Sequence, residues 1–131
     1  MIEPSTEPAL SYRQAVEEAL RLLDGDWVVA VLAALAAGPL HTAELVTAIN
    51  AVEERVGRRA HRVPLSRQVL APTLARMARA GLLVRTRDPT PHPSVWYRLT
   101  PAGRSLLGAL RPLAEWAQAE LAQRHHRDDQ R

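Results

Sequence analysis

The chain has 131 residues, a formal net charge of +3 at pH 7 and no cysteine. This length is sufficient for one domain with a core of moderate size. Without cysteine, disulfides, thiolate zinc sites and thiol redox switches are excluded. The longest apolar run, Trp27 to Ala37, is too short to cross a bilayer, and the N-terminus lacks the basic and then apolar pattern of a secretory signal. We therefore expect a soluble, cytoplasmic protein without a membrane partner.

The charges are distributed unevenly along the chain. All 17 residues of the Lys+Arg class are arginines. The block from Arg55 to Arg111 holds twelve arginines and one acid, Asp88, whereas the remainder holds five arginines and thirteen acids. Such a block is typical of a surface that binds a polyanion. The alternative is an ordinary solvated surface encoded by a GC-rich genome, which accounts for the missing lysines but not for the missing acids.

Two helices are predicted in the first third of the chain. Residues 1–10 contain two prolines and are expected to be a flexible N-terminus. From Ser11 the apolar residues recur at helical spacing, and acidic and basic residues occupy the other face. A second helix is predicted over Trp27 to Ala37, capped by Asp26. This second helix is apolar on nearly all sides, so we expect it at the centre of the core.

A third helix is predicted from Thr42 to about Val56, with Thr42 as its cap. The next N-cap residue is Ser66. Residues 50–65 would therefore form a connection that is long for a helix-turn-helix. Arg58 and Arg59 lie in this insertion. Two interpretations remain open for it, an extra loop that contacts phosphate and a solvated insertion that contacts nothing.

The next segment predicts a helix followed by a hairpin. Ser66 is a good N-cap, and Leu70, Leu74 and Met77 form one apolar stripe of a helix over about 66–80. Gly81 ends that helix, and two alternating segments within 82–99 are separated by a proline-rich tip. We therefore predict a mainly α protein with a small β-hairpin, in the arrangement of a winged helix-turn-helix.

The recognition helix of this motif places its N-terminal part in the major groove of DNA. Arg67 can bind guanine O6 and N7 with its two-pronged guanidinium, and Gln68 can pair with adenine N6 and N7. Ala71 and Pro72 offer apolar contact to a thymine methyl or clearance, and Arg76 lies further back, where phosphate is expected. Pro72 also removes one hydrogen bond of the helix, which is expected to bend it.

The hairpin supplies the remaining contacts to DNA. Its arginines would neutralise backbone charge, and a histidine at the proline-stiffened tip would enter the minor groove. Together with the two helices and the insertion, the predicted DNA-binding residues are Thr42, Arg58, Arg59, Arg67, Gln68, Ala71, Pro72, Arg76, Arg85, Arg87, His92 and Arg98.

A last helix is predicted from Thr100 and Pro101, a cap followed by a first-turn proline. Pro112 should kink it, and the charged tail 125–131 is expected to fray after a domain that spans 11–124. The helix is more apolar than a small domain needs, which favours a homodimer interface shared with the first helix. The predicted interface residues are Tyr12, Val16, Leu20, Leu110, Leu113, Trp116, Ala117 and Leu121.

The aromatic and titratable residues give little support for other sites. Strand alternation places either Trp96 or Tyr97 inside, and we expect Tyr97 in the core; Trp27 and Trp116 are expected in the core or at the dimer interface. The histidines have no carboxylate at metal-ligand spacing, and we find no phosphate-binding loop, nucleophile elbow or carboxylate pair. We therefore predict no metal, no cofactor and no enzymatic activity.

The order of these features resembles the HxlR-type winged helix regulators. The resemblance rests on Asp24-Gly25-Asp26-Trp27, Gly38-Pro39, the spacing of Leu70, Leu74, Met77 and Gly81-Leu82, and Val95-Trp96-Tyr97-Arg98-Leu99-Thr100 with Gly103. It implies a homodimeric DNA-binding transcription factor, often a repressor that responds to a small molecule or to oxidants. Many members sense oxidants through a cysteine near the first helix, where this chain has Ser11 and Tyr12. The resemblance therefore implies a regulator without a cysteine switch.

Two other functions remain open at this stage. The chain could be a protein- or ligand-binding module that kept the fold but lost specific DNA binding, as Pro72 and the insertion suggest. A small-molecule effector could also bind in apolar space between the first helix, Trp27 and the last helix.

Overall fold

The computed structural model describes residues 8–56, 64–88 and 94–130. Within these ranges the chain forms five helices and one three-stranded antiparallel sheet, which confirms the mainly α, winged helix-turn-helix architecture. In chain order the elements are α1 (Pro8–Leu23), α2 (Val28–Ala34), β1 (Leu40–His41), α3 (Thr42–Arg55), α4 (Arg67–Arg79), β2 (Leu83–Arg87), β3 (Val95–Leu99) and α5 (Pro101–Asp129).

The core lies between α2, α3, α4 and the sheet. Leu32, Leu45 and Leu70 are fully buried there, as expected from the apolar stripes of their helices. Trp27 and Tyr97 retain 7% and 8% of their exposure, so the prediction that both are core residues is confirmed. The apolar stripe of α4 packs in this core, which leaves the opposite face of the helix exposed.

The sheet contains one strand that the sequence does not reveal. The strand order is β1-β3-β2, and the two-residue strand β1 pairs Leu40 with Tyr97 and His41 with Trp96. Two residues are too few to show an alternating pattern, so only a hairpin was expected. Because β1 leads directly into α3, this pairing brings the start of α3 beside the wing.

Local signals fix both ends of α4 as predicted. Ser66 Oγ accepts a hydrogen bond from the Val69 N–H at 3.3 Å. At the other end Gly81 has φ +80°, and the Leu82 N–H donates to the Met77 carbonyl at 3.0 Å. The Gly81 N–H also donates to the Ala78 carbonyl at 3.0 Å. These two bonds at the C-terminal end form a Schellman motif, in which a positive φ favours glycine.

The first turn of α5 is tied to the turn between α4 and β2. Thr100 Oγ1 accepts a hydrogen bond from the Gly103 N–H at 3.0 Å and donates one to the Gly81 carbonyl at 2.6 Å. A Cβ added at Gly103 would overlap the carbonyl oxygen of Leu82. The predicted cap at Thr100 is confirmed, and the glycine permits the close approach of helix and turn.

The cap of α3 differs from the prediction. The N-cap is His41, whose N–H donates to Glu44 Oε1 at 3.0 Å, and Thr42 is the first helical residue. The pairing of β1 with β3 keeps His41 extended and therefore outside the helix.

The terminal helices are longer than the sequence suggested. α1 begins at Pro8 rather than Ser11, since proline is well suited to the first helical turn. α5 is one element through Pro112 and continues to Asp129, across most of the segment that was expected to fray. An ion pair between Glu120 and Arg124 at 3.7 Å and basic residues in the last turn stabilise this end.

Candidate nucleic-acid interface

A groove brings together the start of α3, the start of α4 and the start of β3. It has a volume of about 470 Å³ and is open to solvent. Its lining residues are His41, Thr42, Ala43, Glu44, Arg67, Ser94 and Val95. The structure thus places two of the predicted DNA-binding residues, Thr42 and Arg67, in one concave surface. Sequence reasoning missed His41, Ala43 and Glu44 because the unpredicted strand β1 brings the start of α3 to this groove.

The N-terminal end of α4 presents polar and small side chains to solvent. Arg67, Gln68, Ala71 and Pro72 are all exposed. The buried residues of α4 lie on the opposite face of the helix. The helix N-terminus also carries the positive end of the helix dipole, which favours a phosphate beside it.

The wing arginines divide between the two faces of the hairpin. Arg85 lies directly opposite Tyr97, and Arg87 lies opposite Val95. Residues directly opposite in an antiparallel pair share a face, so both arginines lie on the face that carries the buried Tyr97. Arg98 lies opposite Val84 and therefore belongs to the other face. The hairpin thus carries Arg85 and Arg87 on one face, and Arg98 on the other face together with Trp96.

The arginines of the basic block that the structure describes are exposed, but they do not all lie at one edge. Arg76 has its guanidinium against Gly25, in the turn between α1 and α2. Arg104 Nη1 donates to the Ala36 carbonyl at 3.4 Å, beyond the end of α2. The described part of the basic block therefore does not form one continuous surface. Helical and strand periodicity, and not charge alone, decides where each arginine points.

His41, which lines the groove, packs against Trp96. The rings of His41 and Trp96 have centroids 3.4 Å apart, at an interplanar angle of 41°. His41 Nε2 lies 3.9 Å from Glu44 Oε1. Trp96 is partly buried by this contact, so it joins β3 to the start of α3. This packing is a structural role that strand alternation alone could not reveal.

Three predicted DNA-binding residues, Arg58, Arg59 and His92, lie outside the described residues. The same holds for the tip of the wing. Their proposed contacts with phosphate and with the minor groove stay predictions.

The predicted dimer residues lie mainly on uncovered surface. Tyr12 is 74% exposed and Trp116 is 62% exposed, so Trp116 is not a core residue of the protomer. Leu110 differs, because it packs against the protomer's own core. The other exposed apolar residues of α1 and α5 are Val16, Leu20, Leu22, Leu113 and Leu121. Ala117 is partly buried.

Other kinds of site have little support. Among the described residues no group of three or more His, Asp or Glu side chains is arranged to hold a metal ion. A cavity of about 170 Å³ lies between α2 and α3, lined by alanines with Ile49, Val52 and Glu53. In the part of the chain that is described, no helix is long and apolar enough to cross a membrane.

Comparison with known proteins agrees with this geometry. The profile of the HxlR-like helix-turn-helix family matches residues 22–125. This range contains the core, the groove, the wing and most of α5, and it confirms the resemblance noted in the sequence. No curated protein sequence matches the chain.

Several solved structures share the fold. A transcriptional regulator of the MarR family from Enterococcus faecalis V583 is 26% identical, with a TM-score of 0.73 over 94% of this chain and 99% of that one. The transcriptional regulator ytfH from Salmonella typhimurium is also 26% identical, with a TM-score of 0.60 over 87% and 90% of the two chains. The redox regulator HypR in its reduced form is 21% identical, with a TM-score of 0.61 over 80% and 91%, and shows the fold alone.

Proposed function

Since the chain belongs to the HxlR-like helix-turn-helix family of transcriptional regulators, we propose that it is a sequence-specific DNA-binding repressor that acts as a homodimer. The start of α4 enters the major groove, and the wing lies along the backbone or the adjacent minor groove. This partner implies a cytoplasmic location.

The observation that carries the proposal is the groove shared by Thr42 and Arg67. Two helix N-termini meet there, and Arg67 supplies a full positive charge beside them. Arg67 and Gln68 are exposed at the end of α4 that reads bases in this motif. A duplex seated on this groove would meet the Thr42 hydroxyl and the Arg67 guanidinium beside the Glu44 carboxylate, with the exposed Gln68 amide next to Arg67 on α4. The hydroxyl, guanidinium and amide can bind phosphate and base edges together.

The wing extends the same surface. Arg85 and Arg87 lie on one face of the hairpin, and each can neutralise one phosphate. From the sequence we add His92 at the tip and Arg58 and Arg59 in the insertion. Arg98 lies on the other face of the hairpin and Arg76 lies against Gly25, and we assign both to flanking phosphates.

The homodimer is supported by two helices that project from the protomer. All the side chains of α1 from Ser11 to Glu18 are exposed, and so are nearly all those of α5 after Leu110. Both helices carry large apolar residues on these surfaces. Most helical stability in proteins comes from the packing of an amphipathic face, so a second copy that covers both apolar faces is the simplest source of stability.

The proposed regulator does not sense oxidants through a thiol. The chain has no cysteine, so oxidants cannot act through a disulfide. A ligand-binding module without DNA specificity is the alternative function. The cavity between α2 and α3, of about 170 Å³, is smaller than typical ligand pockets of roughly 300–1,000 Å³, whereas the groove, of about 470 Å³, lies within that range. We favour DNA as the primary partner because Arg67 and Gln68 are exposed at the start of α4, and an effector is a secondary proposal.

Selection of duplexes from a random pool tests the proposal. We expect enrichment of a pseudo-palindrome whose half-sites lie about one helical turn apart. Binding to the enriched duplex should weaken linearly with the logarithm of salt concentration, by about 0.9 log units per phosphate neutralised and per log unit of salt. Failure to enrich any sequence, with weak binding that ignores salt, would contradict DNA binding and favour the alternative.

A further inference from the structure

The connection between α3 and α4 poses a geometric problem for a DNA reader. In a short helix-turn-helix the few residues of the turn fix how the recognition helix sits on its neighbour. Here α3 ends at Arg55 and α4 begins at Arg67. A connection of this length does not by itself determine where the second helix starts, so another contact must do so.

Asn50 makes that contact. Its side-chain Oδ1 accepts a hydrogen bond from the Leu65 N–H at 2.8 Å, and its Nδ2 donates one to the Leu65 carbonyl at 3.0 Å. The side-chain amide of Asn50 therefore binds both the backbone N–H and the backbone carbonyl of Leu65. Asn50 is partly buried in α3, and the side chain of Leu65 is 4% exposed in the core. The start and the end of the insertion are thus joined at a fixed distance.

The joined residue is the last one before the cap of the recognition helix. Leu65 precedes Ser66, whose Oγ and carbonyl accept hydrogen bonds from the Val69 and Leu70 N–H groups. The next residue is Arg67, which lines the groove together with Thr42 of α3. A continuous series of hydrogen bonds therefore runs from the middle of α3 to the first turn of α4.

We propose that Asn50 is the positioning residue of the recognition helix. Its amide joins α3 to Leu65 and thereby fixes where α4 begins relative to α3. It acts on Arg67 and Gln68 through the backbone at 65 and 66 and does not itself touch DNA. This inference rests on the proposed function for its consequence at DNA, whereas the clamp itself can be tested on the free protein.

The chemistry of the pair is specific to an amide. Aspartate has nearly the same shape but no donor, so its carboxylate would accept from the Leu65 N–H and repel the Leu65 carbonyl oxygen. Alanine removes both bonds and leaves two peptide groups to find other partners. Thr47 is an exposed residue of the same helix, and Thr47→Ala is the matched control.

Two measurements on the full chain test the inference, with Asn50→Asp, Asn50→Ala and Thr47→Ala compared with the unmodified protein. The first is amide hydrogen exchange without DNA. We expect faster exchange at Leu65, Val69 and Leu70 in both Asn50 variants, and no change there in Thr47→Ala. Unchanged exchange at these amides in Asn50→Ala would overturn the inference, whatever the DNA results.

The second measurement is the ratio of affinities for the selected duplex and a scrambled duplex, taken where urea titration shows each variant to be folded. Asn50→Ala should lower this ratio at least about tenfold, because base contacts require geometry and phosphate contacts largely do not. Asn50→Asp should lower it less, and Thr47→Ala should keep it within about twofold. An unchanged ratio in Asn50→Ala, with only stability lost, would reduce Asn50 to a structural residue. Failure of the unmodified protein to bind either duplex would contradict the proposed function, whereas the exchange result would still decide the clamp.

Discussion

Two arginines of α4, Arg67 and Arg76, carry the same charge but have different surroundings. Arg67 stands at the helix N-terminus and lines the groove, whereas Arg76, on the same helix, lies against Gly25. Helical periodicity carries the second guanidinium towards the turn between α1 and α2. Only the first has both the position and the freedom to reach a base edge. The local residue environment, rather than the number of arginines, therefore supports base readout at α4.

Replacing Arg67 tests this distinction. Arg67→Ala should weaken binding to the selected duplex by about 1–3 kcal/mol and relax preference at one base pair. Arg111→Ala is the matched control, because Arg111 is exposed on α5 and does not line the groove. Affinities for these variants can be measured by fluorescence anisotropy on selected and scrambled duplexes. Equal losses on both duplexes would make Arg67 a phosphate contact instead.

The sequence predicts the exposed face of α4 better than it predicts which face of the wing carries each arginine. Ser66 and the apolar stripe fix which side of α4 is exposed, so Arg67 and Gln68 follow from local spacing. The faces of Arg85 and Arg98 depend on the register between β2 and β3. That register depends on the loop between the strands, and composition does not determine it. The same reason hides His41 and Glu44, which reach the groove through a two-residue strand.

Helix ends are the elements that local chemistry determines most closely. The caps at Ser66 and Thr100 and the glycine at 81 fall where the sequence places them, because each needs only neighbouring residues. The ends of α1 and α5 differ from the prediction, because charge and proline do not by themselves indicate fraying. Proline suits a first turn, and terminal cations suit the end of a helix. The end of α4 and the start of α5 meet at one junction beside β2, where Thr100 bonds to Gly81 and to Gly103.

Two glycines of α5 test that junction with opposite expected signs. Gly103→Ala should lower the free energy of unfolding by about 2–3 kcal/mol, because the new Cβ meets the Leu82 carbonyl. Gly108→Ala should raise it by about 0.5–1 kcal/mol, since nothing lies within 4 Å of its added Cβ and alanine favours the helix. Urea titration measures both. A stabilising effect of both substitutions would show that the helix does not approach the turn this closely.

At the scale of the whole molecule, a compact core presents one groove and two projecting helices. The core and the groove lie within one protomer, whereas α1 and the second half of α5 leave their apolar residues exposed. A stable interface generally buries at least about 1,200 Å² in total, and a second copy that packs on both helices can supply such an area. Two-fold symmetry would then present two copies of α4 to successive major grooves of one duplex.

Sedimentation of the protein with the selected duplex tests this central claim most directly. The unmodified protein should bind as two chains per duplex. Trp116→Glu, which places a charge on an exposed apolar residue of α5, should sediment as a monomer and bind at least about a hundredfold more weakly, because the avidity of paired sites is lost. A single chain per duplex with the same affinity in both proteins, or no complex at all, would contradict the account.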